Sequence, residues 1–246
     1  MPTHENSDSI VVPPFETEDL RKNLVSLLNA SYTFSGDPKR VGDFRWGVYA
    51  FYDYDNEPIY VGQTNEKIRT RIRRHLTNQR TDAVAMSVLD PFEVYEIAIW
   101  PLPQYQEITA KDGKLYINAK EHLNSLERSV YQQAVASSNF KVVLNEKDPP
   151  SAKPIKTLPK AFRQCVVSAD VRKLRSHPDF RIARRALVIA RLAQVISERK
   201  VQGGLRRVML AQAKRLEWLA SRRYEGLGGS QSVERESAND EDSDDS

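Results

Sequence analysis

The sequence is poor in cysteine and contains no long apolar run. Cys165 is the only cysteine among 246 residues, which excludes an internal disulfide framework and a cysteine-rich zinc module. No stretch approaches the roughly 18 consecutive apolar residues of a membrane-spanning helix. The first residues contain no basic run followed by an apolar block, so no secretory signal is predicted. We therefore expect a protein of a reducing compartment, the cytoplasm, with no membrane partner.

A strong charge asymmetry lies beneath the modest overall charge of +4. Residues 1–150 carry a net −4, residues 151–229 a net +14 and residues 230–246 a net −6. A block this basic is typical of a protein with a polyanionic partner, most often nucleic acid. A solvated or protein-binding helical surface is the alternative interpretation. DNA is the partner we expect, and RNA stays open.

Breaks in composition divide the chain into segments and predict an α+β protein. The predicted class is a small antiparallel sheet flanked by helices, followed by a basic α-helical hairpin region. The predicted segments are a disordered lead-in (1–14), an N-terminal helix and loop (15–43), a main domain (44–147), a linker (148–160), a basic helical region (161–229) and an acidic disordered tail (230–246).

Hydrophobic periodicity places the elements of the main domain. The pattern predicts a hairpin of two strands, then a helix, a third strand, a second long helix and a short edge strand. Their predicted ranges are 47–52 and 58–62 for the hairpin, 66–78 for the helix, 92–102 for the third strand, 119–137 for the long helix and 140–144 for the edge strand.

The predicted hairpin brings two tyrosines together. A symmetric four-residue turn at 53–56 places Tyr49 directly opposite Tyr60, and Gly47 opposite Gly62. Because side chains alternate between faces, both phenol rings then project from the same face of the sheet. An ordinary cross-strand aromatic pair is the alternative to a functional site.

The helix after the hairpin carries a cation and an imidazole on one side. Arg71 and His75 are four residues apart, so they share a helix face beside the apolar stripe. Arginine can hold a phosphate with two hydrogen bonds, and histidine can donate a hydrogen bond or move a proton. A solvated basic face is the alternative, because other arginines lie nearby.

Taken in order, these residues resemble the GIY-YIG nuclease family over residues 44–147. The two motifs stand here as Gly47-Val48-Tyr49 and Tyr60-Val61-Gly62, with valine in place of the usual isoleucine. The resemblance extends to further single residues of the family pattern. These are Arg71 on the helix, His75 as in the homing-endonuclease and restriction-enzyme branches, Glu127 on the later helix and Asn145 near the end of the module.

The resemblance implies metal-assisted hydrolysis of phosphodiester bonds, with these residues at the catalytic site. Glu127 would hold Mg²⁺ or Mn²⁺, with Glu121 on the same predicted helix as the alternative ligand. Arg71 would offset charge on the phosphoryl oxygens. Tyr49, helped by Tyr60 or His75, would orient or deprotonate the attacking water. Since a free phenol has a pKa of about 10, we expect nearby positive charge to lower the pKa of Tyr49.

Two further sets of cations are candidates for nucleic-acid binding. Lys67 and Arg69 begin the helix that carries Arg71, and they are equally well explained as surface charges. The arginine pairs of the basic helices would contact the DNA backbone, and the same helices could also form a homo-oligomer. These pairs include Arg184 with Arg185 and Arg206 with Arg207. A noncatalytic nucleic-acid-binding protein on a nuclease scaffold and a helical protein-interaction module are the competing functions.

Overall fold

A computed structural model describes residues 15–34, 37–77, 88–198 and 203–229 of the chain. Both predicted disordered ends, 1–14 and 230–246, lie outside these described residues. The helices are α1 (Phe15–Asn29), α2 (Ile68–Leu76), α3 (Lys114–Ser137), α4 (Ala169–Arg175), α5 (Pro178–Glu198) and α6 (Gly203–Gly226). The strands are β1 (Ser31–Phe34), β2 (Asp37–Arg40), β3 (Gly47–Tyr52), β4 (Pro58–Thr64), β5 (Glu96–Pro101) and β6 (Phe162–Cys165). No helix in the described ranges is long and apolar enough to cross a bilayer.

A four-stranded antiparallel sheet forms the centre of the protein, in the order β4-β3-β5-β6. Its two faces carry separate cores because alternate residues of each strand point to opposite sides. Tyr49 and Phe51 face a core shared with α1 and α2, whereas Val48 and Ala50 face a core shared with α3. The α+β architecture predicted from the sequence, with helices flanking a small antiparallel sheet and a C-terminal helical hairpin, is therefore confirmed.

The pairing of the hairpin strands differs from the predicted one by two residues. Tyr49 pairs with Gly62 rather than with Tyr60, and Phe51 pairs with Tyr60. The cause is the turn, in which Asn56 has a φ of 58°, and a bulge between Phe51 and Tyr52. A shift of two residues preserves the face of every side chain, so Tyr49 and Tyr60 still lie on the same side of the sheet.

The two outer edges of the four-stranded sheet also differ from the prediction. Residues 140–144 form no strand, although the Leu144 amide donates to the Ile59 carbonyl at 2.8 Å along the outer edge of β4. The opposite edge is β6, which the sequence analysis assigned to a purely helical region. With four residues, β6 is too short to show a clear alternation of apolar and polar residues.

Helices α2 and α3 and the third strand agree with the sequence analysis in type and differ at their ends, whereas β1 and β2 were not predicted. Residues 37–43, predicted as a loop, contain β2, which pairs with β1 as a separate two-stranded ribbon. Helix α2 begins two residues later than predicted, and α3 begins five residues earlier, directly after Gly113. The 92–102 strand is shorter than predicted because Pro91–Glu93 forms a turn of 3-10 helix capped by Asp90.

Helices α5 and α6 dock onto the turn of the hairpin through buried charges. The carboxylate of Asp53, only 1% exposed, accepts hydrogen bonds from three guanidinium groups. They belong to Arg181 at 3.0 Å, Arg185 at 3.0 Å and Arg215 at 2.6 Å. Glu93 adds a second buried carboxylate, bound by Arg185 at 3.0 Å. The basic region is thus fixed to the sheet by ionic contacts in a dry environment.

Further arginines of the basic region pair with acidic residues that come before it in the chain. The pairs are Arg163 with Glu96, Arg175 with Glu16, Arg184 with Asp90 and Arg207 with Asp148. The separation of charge along the sequence is therefore partly neutralised within the fold. The predicted homo-oligomer through these helices stays a prediction.

Candidate active site

A chain of hydrogen bonds joins Arg71, Tyr49 and His75. Nε of Arg71 donates to the Tyr49 hydroxyl at 3.3 Å, and the same hydroxyl lies 2.8 Å from Nε2 of His75. Arginine can only donate, so we assign the phenolic proton to the bond toward His75. Helix α2 positions both partners because Arg71 and His75 lie one turn apart on the face that packs against the sheet.

Tyr60 adds a second ring to this group. Its ring is stacked on Tyr49 with centroids 6.3 Å apart, and its centroid lies 5.0 Å from that of His75. The predicted convergence of the two tyrosines, the arginine and the histidine is therefore present in the structure. It is reached through diagonal neighbours across β3 and β4 rather than a directly opposed pair.

Gly62 leaves the space that the Tyr49 hydroxyl occupies. A Cβ atom on Gly62 would lie 2.5 Å from the Tyr49 oxygen and 2.7 Å from the ring carbon that bears it. Both distances are below van der Waals contact, so any side chain would displace the ring. This close approach explains why the second motif ends in glycine.

We expect Gly62→Ala to lower the free energy of unfolding by about 1–3 kcal/mol, because its Cβ would overlap the ring of Tyr49. Urea unfolding followed by circular dichroism measures the change. Gly203→Ala is the matched control, since nothing lies within 4 Å of a Cβ at that position. Equal effects of the two substitutions would contradict the role assigned to Gly62.

A cavity of about 330 Å³ opens at the β4 edge of the sheet. Residues from both faces of the sheet line it, because β4 is an outer strand. Tyr60, Gly62, Arg71 and His75 come from the α2 side, and Gln63 and Glu127 come from the α3 side. Tyr49 is fully buried behind this wall, in contact with Arg71 and His75.

Glu127 presents a carboxylate to the cavity from α3. It is 7% exposed, and its Oε2 has no hydrogen-bond partner among the described residues. Burial raises the pKa of Glu127 from 4.5 to about 7, although the positive charges of Lys120 and Arg71 oppose the shift. Glu121, the alternative ligand, is exposed on another side of the same helix.

Burial also overturns one electrostatic expectation. The pKa of Tyr49 is raised well above 10.0, first by burial and then by the neighbouring Tyr60, and Arg71 only partly opposes this shift. We expected nearby positive charge to lower this pKa. The phenol has no contact with water, so the unfavourable transfer of a phenolate into the core outweighs a single guanidinium at 3.3 Å.

Asn145 holds the outer backbone of β4. Its Oδ1 accepts from the Val61 amide at 3.1 Å and its Nδ2 donates to the Val61 carbonyl at 2.7 Å. The amide group thus replaces a missing neighbouring strand and satisfies backbone groups that an outer strand leaves unpaired. Asn145 lines the same cavity, beside residues 146–150.

The candidate nucleic-acid contacts lie in different environments. Lys67 and Arg206 are exposed. Arg69 bonds to Asp43 at 3.2 Å and to Asn29 at 2.9 Å, which ties α2 to the N-terminal elements. Arg207 is partly exposed and pairs with Asp148 at 3.1 Å.

Arg185 is buried, whereas Arg184 is ion-paired with about a third of its side chain exposed, so a DNA contact by Arg184 stays a prediction. Arg185 is 2% exposed and bonded to Asp53 and Glu93, and a buried guanidinium cannot reach a phosphate backbone. Arg184 makes two hydrogen bonds to Asp90, at 2.7 and 2.9 Å. A helix rich in arginine looks the same in sequence whether its charges face solvent or a buried carboxylate.

The cavity contains residues that the sequence analysis did not single out. Gln63 directly follows the second motif, and residues 146–150 were assigned to the end of the module and to a linker. Position 63 shares a strand face with Val61, so alternation along β4 was the one available signal that it points toward α3.

Comparison with protein families matches residues 45–110 to the GIY-YIG catalytic domain. The match includes both tyrosine motifs, Arg71 and His75, and it ends before Glu127 and Asn145. No curated protein and no solved structure matches the chain. The matched residues include the β3–β4 hairpin, α2 and β5. Of these elements, β4 and α2 contribute residues to the cavity lining. The chain therefore carries, over residues 45–110, a catalytic domain of the GIY-YIG nuclease family.

Proposed function

We propose that this protein is a metal-dependent endonuclease that hydrolyses phosphodiester bonds of DNA. One observation carries the proposal: Arg71, His75 and Glu127 line a single cavity, with the Tyr49 hydroxyl bonded directly behind its wall. A cation for phosphate, a proton acceptor and a free carboxylate oxygen are the groups that assisted phosphodiester hydrolysis requires.

The residues present fit a divalent cation held largely by water and substrate. Glu127 Oε2 is a buried hard oxygen that lacks a partner among the described residues. The described residues contain no group of three or more His, Cys, Asp or Glu side chains that could hold an ion. Glu127 would hold Mg²⁺ or Mn²⁺, and the phosphate and water would complete its shell. When bound, the ion would act as a Lewis acid on the phosphate.

The hydrogen-bond chain provides a route for the proton of the attacking water. The Tyr49 hydroxyl is buried in the structure without substrate, so the proposed step requires the attacking water to reach it through the cavity wall once substrate is bound. The Tyr49 oxygen then takes the proton of that water while its own proton moves to Nε2 of His75, so a free phenolate never forms. This relay is compatible with the raised pKa of Tyr49. Direct deprotonation of the water by a phenolate is not compatible with it, because the raised pKa disfavours formation of that phenolate. Meanwhile the water oxygen bonds to phosphorus, and the bond from phosphorus to one sugar oxygen breaks. That oxygen leaves as the sugar hydroxyl after it takes a proton from solvent. Arg71 stabilises the charge on the phosphoryl oxygens.

We place the DNA backbone across the mouth of the cavity. Lys147 lines the mouth and is exposed, and Lys120 is close enough to lower the pKa of Glu127. Lys67 and Arg206 are further exposed cations that the fold leaves open to solvent. In this proposal DNA contacts a small number of exposed side chains, and the paired arginines of α5 and α6 serve the fold.

The experiment is cleavage of supercoiled plasmid in Mg²⁺ or Mn²⁺. We expect wild-type protein to cleave, and Glu127→Ala, Arg71→Ala and Tyr49→Phe each to lower the rate by about 100-fold or more. Glu121→Ala is the matched control, because this exposed carboxylate lies on the same helix as Glu127.

The alternatives give different results. Cleavage that survives all three substitutions would place the active site elsewhere. Salt-dependent DNA binding without cleavage by the wild type would indicate a noncatalytic nucleic-acid-binding protein. Absence of both cleavage and binding would favour a protein-interaction module.

A further inference from the structure

Two buried oxygen atoms without partners face the same cavity. One is Oε2 of Glu127, and the other is Oε1 of Gln63; neither has a hydrogen-bond partner among the described residues. Leaving a buried acceptor unsatisfied is unfavourable, and two such atoms in the lining of one cavity suggest that a ligand satisfies them.

The position of Gln63 is set by two contacts. In the β3–β4 ladder Gln63 pairs with Val48, which directs it to the α3 side of the sheet. Its Nε2 donates to Oδ1 of Asn124 at 3.0 Å. Asn124 and Glu127 are three residues apart on α3, so they share one side of that helix. The donor of the Gln63 amide is therefore engaged, and its acceptor is left without a partner among the described residues, in the lining of the cavity that Glu127 also lines.

The chemistry of these two atoms selects the ligand. Both are acceptors, and two unpartnered acceptors in the lining of one cavity repel an anion such as phosphate. They favour a cation or a water molecule bound to one, and amide and carboxylate oxygens are hard donors suited to Mg²⁺ and Mn²⁺. Resting on the proposed function, we infer that Gln63 Oε1 is a second protein oxygen of the divalent-cation site, which it contacts directly or through a bound water.

The test is Mn²⁺ binding measured by electron paramagnetic resonance, without any nucleic acid. Gln63→Met keeps the length of the side chain and removes the oxygen. We expect it to weaken Mn²⁺ binding about tenfold, since loss of an outer partner commonly lowers metal affinity 10–100-fold. Because the substitution also removes the hydrogen bond to Asn124, its metal-free melting temperature is measured alongside, and the affinities are compared at a temperature where both proteins are folded. Gln63→Glu adds a negative charge and should tighten Mn²⁺ binding. This second variant tests the inference if Gln63→Met does not fold.

Gln164→Met is the matched control, because Gln164 is a strand glutamine in β6 at the opposite edge of the sheet. Wild-type affinity in a folded Gln63→Met variant, or no tightening in Gln63→Glu, would overturn the inference and leave the proposed function standing. If wild-type protein bound Mn²⁺ no better than Glu127→Ala does, the proposed metal dependence itself would fall, and the inference with it.

Discussion

Glu127→Gln is expected to stabilise the metal-free protein at pH 8 by about 2 kcal/mol while lowering DNA cleavage by about 100-fold or more. The carboxylate is buried and its Oε2 lacks a partner among the described residues, so the charged form is unfavourable in the fold. Glutamine has nearly the same shape and carries no charge, which removes this penalty. It also removes the anionic ligand that the proposed cation needs.

The stabilising direction of this prediction follows from the raised pKa of Glu127. Burial raises the pKa of Glu127 from 4.5 in its ordinary state to about 7 in the fold. Between those values the folded protein binds the proton more strongly than the unfolded chain does. The stability of the metal-free wild type therefore falls as the pH rises from about 4.5 to about 7. Glu127→Gln abolishes that contribution, so its advantage should be small at pH 4 and full above pH 7.

Urea unfolding in the presence of a chelator, at pH 4 and pH 8, measures the two free energies. Glu121→Gln is the control, because the exposed Glu121 carboxylate lies on the same helix. A gain that is equal at both pH values, or equal in the control, would show that burial of Glu127 is not its source.

Asp53→Asn is expected to lower the free energy of unfolding by about 3–5 kcal/mol. The substitution keeps the side-chain oxygen that accepts from the Asp55 and Glu57 amides in the turn. It removes the negative charge on which three guanidinium groups converge. Arg215 is 2% exposed, and burial already lowers its pKa despite the nearby Asp53. Without that carboxylate its charge would be left in the core.

Urea unfolding at pH 7 measures this loss as well. Asp179→Asn is the matched control, since Asp179 also pairs with an arginine, Arg223, but at an exposed site. Exposed pairs contribute about 1 kcal/mol or less. If Asp53→Asn cost no more than the control, the buried cluster would not be what holds α5 and α6 to the sheet.

Local patterns were enough to predict the tyrosines, Arg71 and His75 of the site. Strand alternation and four-residue helix spacing depend only on neighbours in sequence, and both survive small errors. The hairpin pairing shows why: the turn and the bulge beside Tyr52 together moved the register by two residues, yet Tyr49 and Tyr60 kept their common face.

Ion pairs between residues that are far apart in the sequence could not be predicted from local patterns. Asp53 and Arg215 are 162 residues apart, and nothing near either one indicates the other. The basic block was therefore interpreted as a surface for DNA, although several of its arginines pair within the fold. The sign of the pKa shift of Tyr49 was missed for a related reason. It depends on how completely the ring is buried, and that is set by elements on all sides of it.

The order of the elements along the chain has a consequence during synthesis, because β6, Arg181, Arg185 and Arg215 are all made late. The hairpin with both tyrosine motifs leaves the ribosome early, but the counter-ions for Asp53 follow more than 120 residues later. Until then the three arginines that pair with the buried Asp53 carboxylate have not been made. A nascent chain thus contains both tyrosine motifs well before the arginines that surround Asp53, so the ionic cluster can be completed only after translation has passed residue 215.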